Sequence, residues 1–189
     1  MIKKISRCFA NKLANNTEEQ EILQYGFECL INTSIPIIFF FIFAVLENMI
    51  FETIIWLVLF LLLRNYIGGY HATTHERCIL ISTIYGLSIL LFLHYVKFVP
   101  ITVEVCICAI IIFFHILYGP IINDCYLLNN YTKYKKISLF LIVTETIAII
   151  FLNYYNFRIH LCIFLSIISA EFLHYVERLK LIYNQSKNT

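Results

Sequence analysis

The chain has 189 residues, 60% of them hydrophobic and 14% charged, with a formal net charge of +2 and a mean hydropathy of +0.79. A water-soluble domain of this length carries more charge and less apolar surface, so the composition excludes that class and indicates an integral membrane protein. The lipid bilayer is the first expected partner, and nucleic acid is not expected to be one.

In chain order, MIKKISRCFANKL places Ile2, Ile5, Phe9 and Leu13 at helical spacing, with Lys3, Lys4, Arg7 and Lys12 largely off that stripe. This predicts a basic amphipathic helix on an anionic inner leaflet; a basic terminus that only sets orientation accounts for it equally well. Thr17-Glu18-Glu19-Gln20 fits a capping box, with Thr17 as N-cap of a second helix. Six apolar segments follow, at 30 to 46, 53 to 63, 79 to 96, 101 to 118, 137 to 152 and 159 to 176. Pro36 falls near the start of the first, where proline is least costly, and the second is short for about 30 Å of hydrocarbon. The fold expected is an all-α membrane protein of about six transmembrane helices plus the N-terminal interfacial helix. Residues 1–189 read as a single polytopic domain, with 1–29 cytoplasmic or interfacial, 30–176 the transmembrane bundle and 177–189 a cytoplasmic tail.

Between the second and third segments stands a polar cassette, RNYIGGYHATTHERC, residues 64 to 78. Thr73 and Glu76 form a second capping box, which predicts that the third span begins at Thr73 and puts Cys78 in its second turn with His71 just before it. Were 71 to 78 one helix, the two side chains would stand about 10 Å apart along its axis, too far for proton transfer. A cap at Thr73 with Gly68 and Gly69 before it lets the chain fold back over the helix end. A thiol near a helix N-terminus and beside an imidazole is a competent nucleophile, with His71 as its base; Arg64 is suited to a substrate carboxylate or a developing oxyanion. His71, His75 and Cys78, at i, i+4 and i+7, also allow a metal reading, but a structural zinc needs a fourth ligand that the cassette lacks. No cofactor and no metal are expected.

Further along, Cys106 and Cys108 read as small apolar filler, and Gly119-Pro120 breaks the helix before the longest polar connection, IINDCYLLNNYTKYKK. Glu104, Glu145 and Glu171 fall inside spans, with His115, His160 and His174 at or near span ends. Ionisable groups there are costly: they pair with one another or with a second subunit, or they serve a small proton-coupled transporter, the rival function class. Glu171 and His174, at i and i+3, echo half of a di-iron site, and a single copy lacks the partners such a site needs.

With both termini inside, the cytoplasmic side holds 12 of the 14 Lys and Arg residues, and only Lys97 and Arg158 lie outside. The expected location is therefore a membrane crossed several times, with both termini and the cassette facing the cytoplasm. Seven scattered cysteines, mostly in apolar segments or on the reducing side, read as free thiols. No cleavable signal peptide is expected.

At Arg64, Gly68-Gly69, His71 and Cys78, with six residues between His and Cys, the sequence resembles the AgrB (accessory gene regulator B) family, the membrane-embedded cysteine endopeptidases of Gram-positive quorum sensing. The likeness extends to length, six-span hydropathy and a Lys-bearing loop after a Gly-Pro break. It implies an endopeptidase of the bacterial plasma membrane that cuts a small precursor peptide on the C-terminal side of its core and closes the core into a thiolactone or lactone, with Cys78 as nucleophile and His71 as base. Roles for Arg64, Gly68 and Gly69 follow from the same pattern, and Glu76 is a candidate to orient His71. Family precursors pair an amphipathic N-terminal helix with an acidic tail, which Lys133, Lys135 and Lys136 would attract by charge; topology and lipid contact explain these lysines as well. A homodimer is a further partner that the reading allows.

Overall fold

The computed structural model describes residues 2–14, 16–70, 72, 74–96, 99–121, 131–152 and 157–187, and among them all regular structure is helical. The elements are α1 (Ile2–Leu13), α2 (Thr17–Leu46), α3 (Ile50–Ile67), α4 (His75–Tyr95), α5 (Ile101–Tyr118), α6 (Tyr131–Leu152) and α7 (Phe157–Lys187). The protein is an all-α membrane protein. By length and composition α2, α3, α4, α5 and α7 are able to cross a bilayer. The sixth expected segment, 137 to 152, lies in α6, which begins at Tyr131 and carries Lys133, Lys135, Lys136 and Glu145, so composition alone does not place it with the other five. The short second segment draws on its flanks, as a span of hydrocarbon requires: the helix runs 18 residues, a rise of about 27 Å.

Two compact units make up the fold, Met1–Asn48 with Ala72–Leu90, and Met49–His71 with Leu91–Thr189. In the first, α1 packs along α2, with the Phe9 and Phe27 ring centroids 5.6 Å apart. Ser6 and Ala10 are buried while Ile5, Phe9 and Leu13 are exposed, so the apolar stripe is not consumed by the chain's own core. An amphipathic helix in that state is suited to a lipid interface.

The first unit corrects two sequence expectations. Asn16, not Thr17, caps α2: its side-chain oxygen accepts from the Glu19 N–H at 2.7 Å. Asn is at least as good a cap as Thr, and from position 16 it makes the usual N-cap bond to the third helical N–H. Pro36 does not mark a helix start but sits buried inside the continuous 30-residue α2, where it deprives the Asn32 carbonyl of its helical donor. Gly86 on α4 lies against the Phe40 ring, into which any Cβ would project.

In the second unit α7 is the axis. About 72% of its apolar window is buried, against 17–33% for the other candidate spans, with α3, α5 and α6 packed on it. Small residues on its inner face, Ser166, Ser169 and Ala170, allow neighbouring helices to approach closely. Ionisable groups on these helices have partners within the unit. His160 Nδ1 stands 2.9 Å from Glu104 Oε2, Ser166 donates to Glu145 Oε2 at 2.9 Å, and Arg158 donates to Glu52 at 3.1 Å.

Replacing the observed cap tests the α2 boundary. Asn16→Ala removes about 1 kcal/mol from the first turn of α2, which is expected to speed amide hydrogen exchange at Glu19 roughly fivefold, while Thr17→Ala leaves it unchanged.

Candidate active site

The cassette begins where α3 ends. Gly68 caps α3 with its N–H on the Arg64 carbonyl at 3.0 Å and takes φ +78°, a conformation that side chains strain to adopt. A Cβ at Gly68 would also overlap the Ile121 carbonyl oxygen, because the chain after α5 closes here through Ile121 N–H donating to Ile67 O at 3.0 Å. Gly69 is buried against Leu173 of α7, and the Tyr70 N–H donates to the Leu173 carbonyl at 3.1 Å. Arg64, in the last turn of α3, donates to the Tyr70 carbonyl at 3.2 Å, with its guanidinium 5.9 Å from the Phe60 ring centroid. Lys180 of α7 stands 5.0 Å over the Tyr70 ring. Arg64, Gly68 and Gly69 thus converge on one short stretch of backbone immediately ahead of His71. Arg64, whose position in the cassette suits a substrate carboxylate or a developing oxyanion, here directs one NH2 group to the Tyr70 carbonyl.

His71 and Thr73 lie outside the described residues, as do Lys97, Cys125 and the centre of the connection after α5. On the far side of the cassette α4 begins at His75 rather than Thr73. Thr74 takes the capping position, accepting from the Arg77 N–H on its hydroxyl at 3.4 Å and from the Cys78 N–H on its carbonyl at 3.0 Å. Two adjacent threonines offered the same cap chemistry, and sequence alone did not separate them. Cys78 is a free thiol, partly exposed, in the opening turns of α4, and Glu76 is exposed on the first turn.

His75 is engaged on both ring nitrogens by α2. Nδ1 lies 2.7 Å from Asn32 Nδ2, and Nε2 lies 2.9 Å from Glu28 Oε2, whose other oxygen accepts from Gln24 at 3.0 Å. Asn32 Nδ2 is a donor, so Nδ1 accepts and Nε2–H donates to the carboxylate. With neither nitrogen left to ligate, the metal reading of His71, His75 and Cys78 loses its middle member. Sequence reasoning missed Glu28 and Asn32; their i, i+4 spacing on α2 was the available signal.

Of the three lysines expected to meet an acidic peptide, Lys133 and Lys136 are exposed near the start of α6. Lys135 instead donates to the Ile116 carbonyl at 2.8 Å, at the C-terminal end of α5 where helix carbonyls lack partners. All three sit on the helix rather than in a loop.

The family profile of accessory gene regulator B matches residues 2–176. The chain belongs to the AgrB family. Two Clostridium perfringens proteins named only as AgrB-like, from strain SM101 (Type A) and strain 13 (Type A), are each 36% identical to it over 93 residues. That alignment spans 47% of this chain and 44% of each relative, less than half the length of the curated proteins it matches. No solved structure matches the chain.

The tight approach at Gly68 makes a sharp contrast with Gly26, which has open space around it inside α2. Gly68→Ala is expected to cost about 2 kcal/mol or more and to lower the thermal unfolding midpoint in detergent, whereas Gly26→Ala holds or slightly raises it.

Proposed function

We propose that this AgrB family member is a membrane cysteine endopeptidase that cuts a small quorum-sensing precursor peptide on the C-terminal side of its core and closes the core into a ring. Family membership carries the reading, and the cassette supplies the chemistry. Cys78 offers a free, partly exposed sulfur at the start of a helix, where aligned peptide dipoles favour negative charge on the oxygen of an attacked carbonyl. His75 has both nitrogens engaged by α2, and His71 is taken as the base on the family resemblance. Arg64, Gly68 and Gly69 act as positioning residues, fixing the backbone that leads into His71.

In this mechanism the Cys78 sulfur attacks the scissile carbonyl while His71 takes the thiol proton. His71 then returns that proton to the departing amine, leaving a thioester between the peptide core and Cys78. A thiol or hydroxyl within the core attacks the thioester carbonyl, forms the ring bond and releases the Cys78 sulfur, which regains a proton. The exposed Lys133 and Lys136 draw in the acidic tail of the precursor, with Lys135 held at the end of α5. Both termini and the cassette face the cytoplasm, a reading supported by the 12 to 2 division of Lys and Arg across the membrane.

The rival transporter reading rests on Glu104 and Glu145, whose partners His160 and Ser166 join helices within one unit and so account for their presence by packing.

Reconstituted protein incubated with a small amphipathic peptide with an acidic tail, encoded beside its gene, tests the proposal. Cys78→Ala and His71→Ala are each expected to cut cleavage by on the order of a thousandfold or more with membrane insertion intact; normal processing by either variant would falsify the assignment. Trapped acyl-enzyme should map to Cys78 and not to Cys8 or Cys29. Exchanging both exposed lysines, Lys133→Glu with Lys136→Glu, should raise KM severalfold with kcat little changed, whereas an equal fall in kcat would move these lysines out of peptide recruitment.

A further inference from the structure

We propose that His115, Glu171 and His174 form a binding site for a divalent transition-metal ion of the zinc class, tying the end of α5 to α7. The three side chains are 0%, 1% and 0% exposed, and their ligand atoms all lie within 4.8 Å of one another. Glu171 stands between the two rings. His115 Nδ1 is 2.8 Å from Oε1, and His174 Nδ1 is 3.2 Å from Oε2.

The first of these contacts is the informative one. At 2.8 Å, His115 Nδ1 and Glu171 Oε1 are near enough for a strong hydrogen bond, yet neither atom makes one among the described residues. Two buried polar atoms in that state are costly, and each such group calls for an explanation. Chelation supplies one. Ligand atoms about 2.1 Å from a shared ion, at an angle of about 90° to 110°, stand roughly 3.0 to 3.4 Å from each other, and their lone pairs aim at the ion rather than at each other. The 3.2 Å separation falls in that range and the 2.8 Å one just below it, so a small outward shift of His115 Nδ1 would seat the ion.

The surroundings agree. His115 Nε2 is 2.8 Å from the Ser138 hydroxyl, which itself donates to the Lys135 carbonyl at 3.1 Å. With its hydrogen used there, the hydroxyl accepts from Nε2–H, and the tautomer carrying its proton on Nε2 presents a lone pair from Nδ1 toward the carboxylate. A metal-bound histidine is usually held in this way, through its second nitrogen. On the other ring the Arg178 guanidinium is 3.5 Å from His174 Nε2, but its NH2 group is directed to the Tyr118 and Gly119 carbonyls at 3.0 and 2.9 Å and makes only a long contact with the ring. Two imidazoles and a carboxylate suit zinc or a neighbouring divalent metal, with a fourth position for water. Because Leu173, the residue before His174, accepts the Tyr70 N–H, the ion would also brace the helix on which the Gly68–Tyr70 stretch is seated.

The test is independent of the peptidase reading. Purified full-length protein is stripped with a chelator and titrated with Zn²⁺, and its metal content is measured by elemental mass spectrometry after desalting. The expected result is one tightly held ion per chain. Substitution with Co²⁺ should give visible ligand-field bands without a thiolate charge-transfer band, and these should be unchanged in Cys78→Ala. Glu171→Gln and His115→Ala should abolish stoichiometric binding, and Ser138→Ala should weaken it about tenfold. Glu104→Gln, which alters a different buried pair, should leave it intact. Failure of the unmutated protein to retain Zn²⁺ or Co²⁺ overturns the proposal and leaves a metal-free carboxylate bridging two histidines, as does binding that survives Glu171→Gln or a cobalt spectrum showing sulfur ligation.

Discussion

The constraint on which the second unit depends is that α7 carries ionisable side chains into an apolar interior, where each must find a partner. An uncompensated buried charge costs several kcal/mol, more than any single packing contact returns. His160 meets Glu104 from α5, and Ser166 meets Glu145 from α6. Glu171 stands 2.8 Å from His115 of α5, and Arg158 near the start of α7 meets Glu52 from α3. These pairings are spaced along the helix, so sliding any neighbour by one turn would orphan several groups at once. Apolar contacts between lipid-facing helices tolerate such slips; the polar pairs set the register.

Backbone groups at the helix ends obey the same rule. The last carbonyls of a helix have no intrahelical donors, and α5 ends with three of them taken by long cations: Ile116 by Lys135, and Tyr118 and Gly119 by Arg178. Nearby, Ile67 and Leu173 accept N–H groups from the chain that follows α5 and α3. The stretch leading into His71 is therefore pinned by backbone bonds on both sides, with Gly68 at the one point where a side chain would break the closure. If His71 is the base, as proposed, positioning of that kind from rigid elements rather than a free loop is what its imidazole would require.

Much of this was legible in the sequence. Five of the six apolar segments lie in helices able to cross a bilayer, the sixth lies in α6, and the α1 boundary coincides with the stripe that predicted it. Local signals failed where neighbouring residues shared a chemistry: Asn16 outcompeted Thr17, and Thr74 took the cap assigned to Thr73. Long-range pairing was the other blind spot. Glu171 and His174 were conspicuous as an i, i+3 pair, but His115 stands on another helix, and no periodicity within one segment reports a contact between two. Likewise the i, i+4 spacing of Glu28 and Asn32 marks one face of α2 but does not say that His75 of another helix lies against it. Arg64 was placed by its motif, yet its bond to Tyr70 depends on how the chain reverses after Gly68, which sequence spacing does not fix.

On the proposed reading, the choice of sulfur at position 78 follows from the product. A ring ester or thioester holds acyl-transfer energy that hydrolysis would dissipate, so the enzyme must pass the acyl group on without letting it reach water. A thioester to Cys78 stands at nearly the same energy as a thiolactone, and exchange between them is close to isoenergetic, whereas an oxygen ester to serine would make thiolactone formation uphill. The remaining barrier is entropic, and holding the core folded beside the thioester lowers it. On that reading a site at the border between bilayer and cytoplasm would meet both needs, the polar cassette admitting the peptide and the apolar helices before and after it in the chain limiting the water that accompanies it.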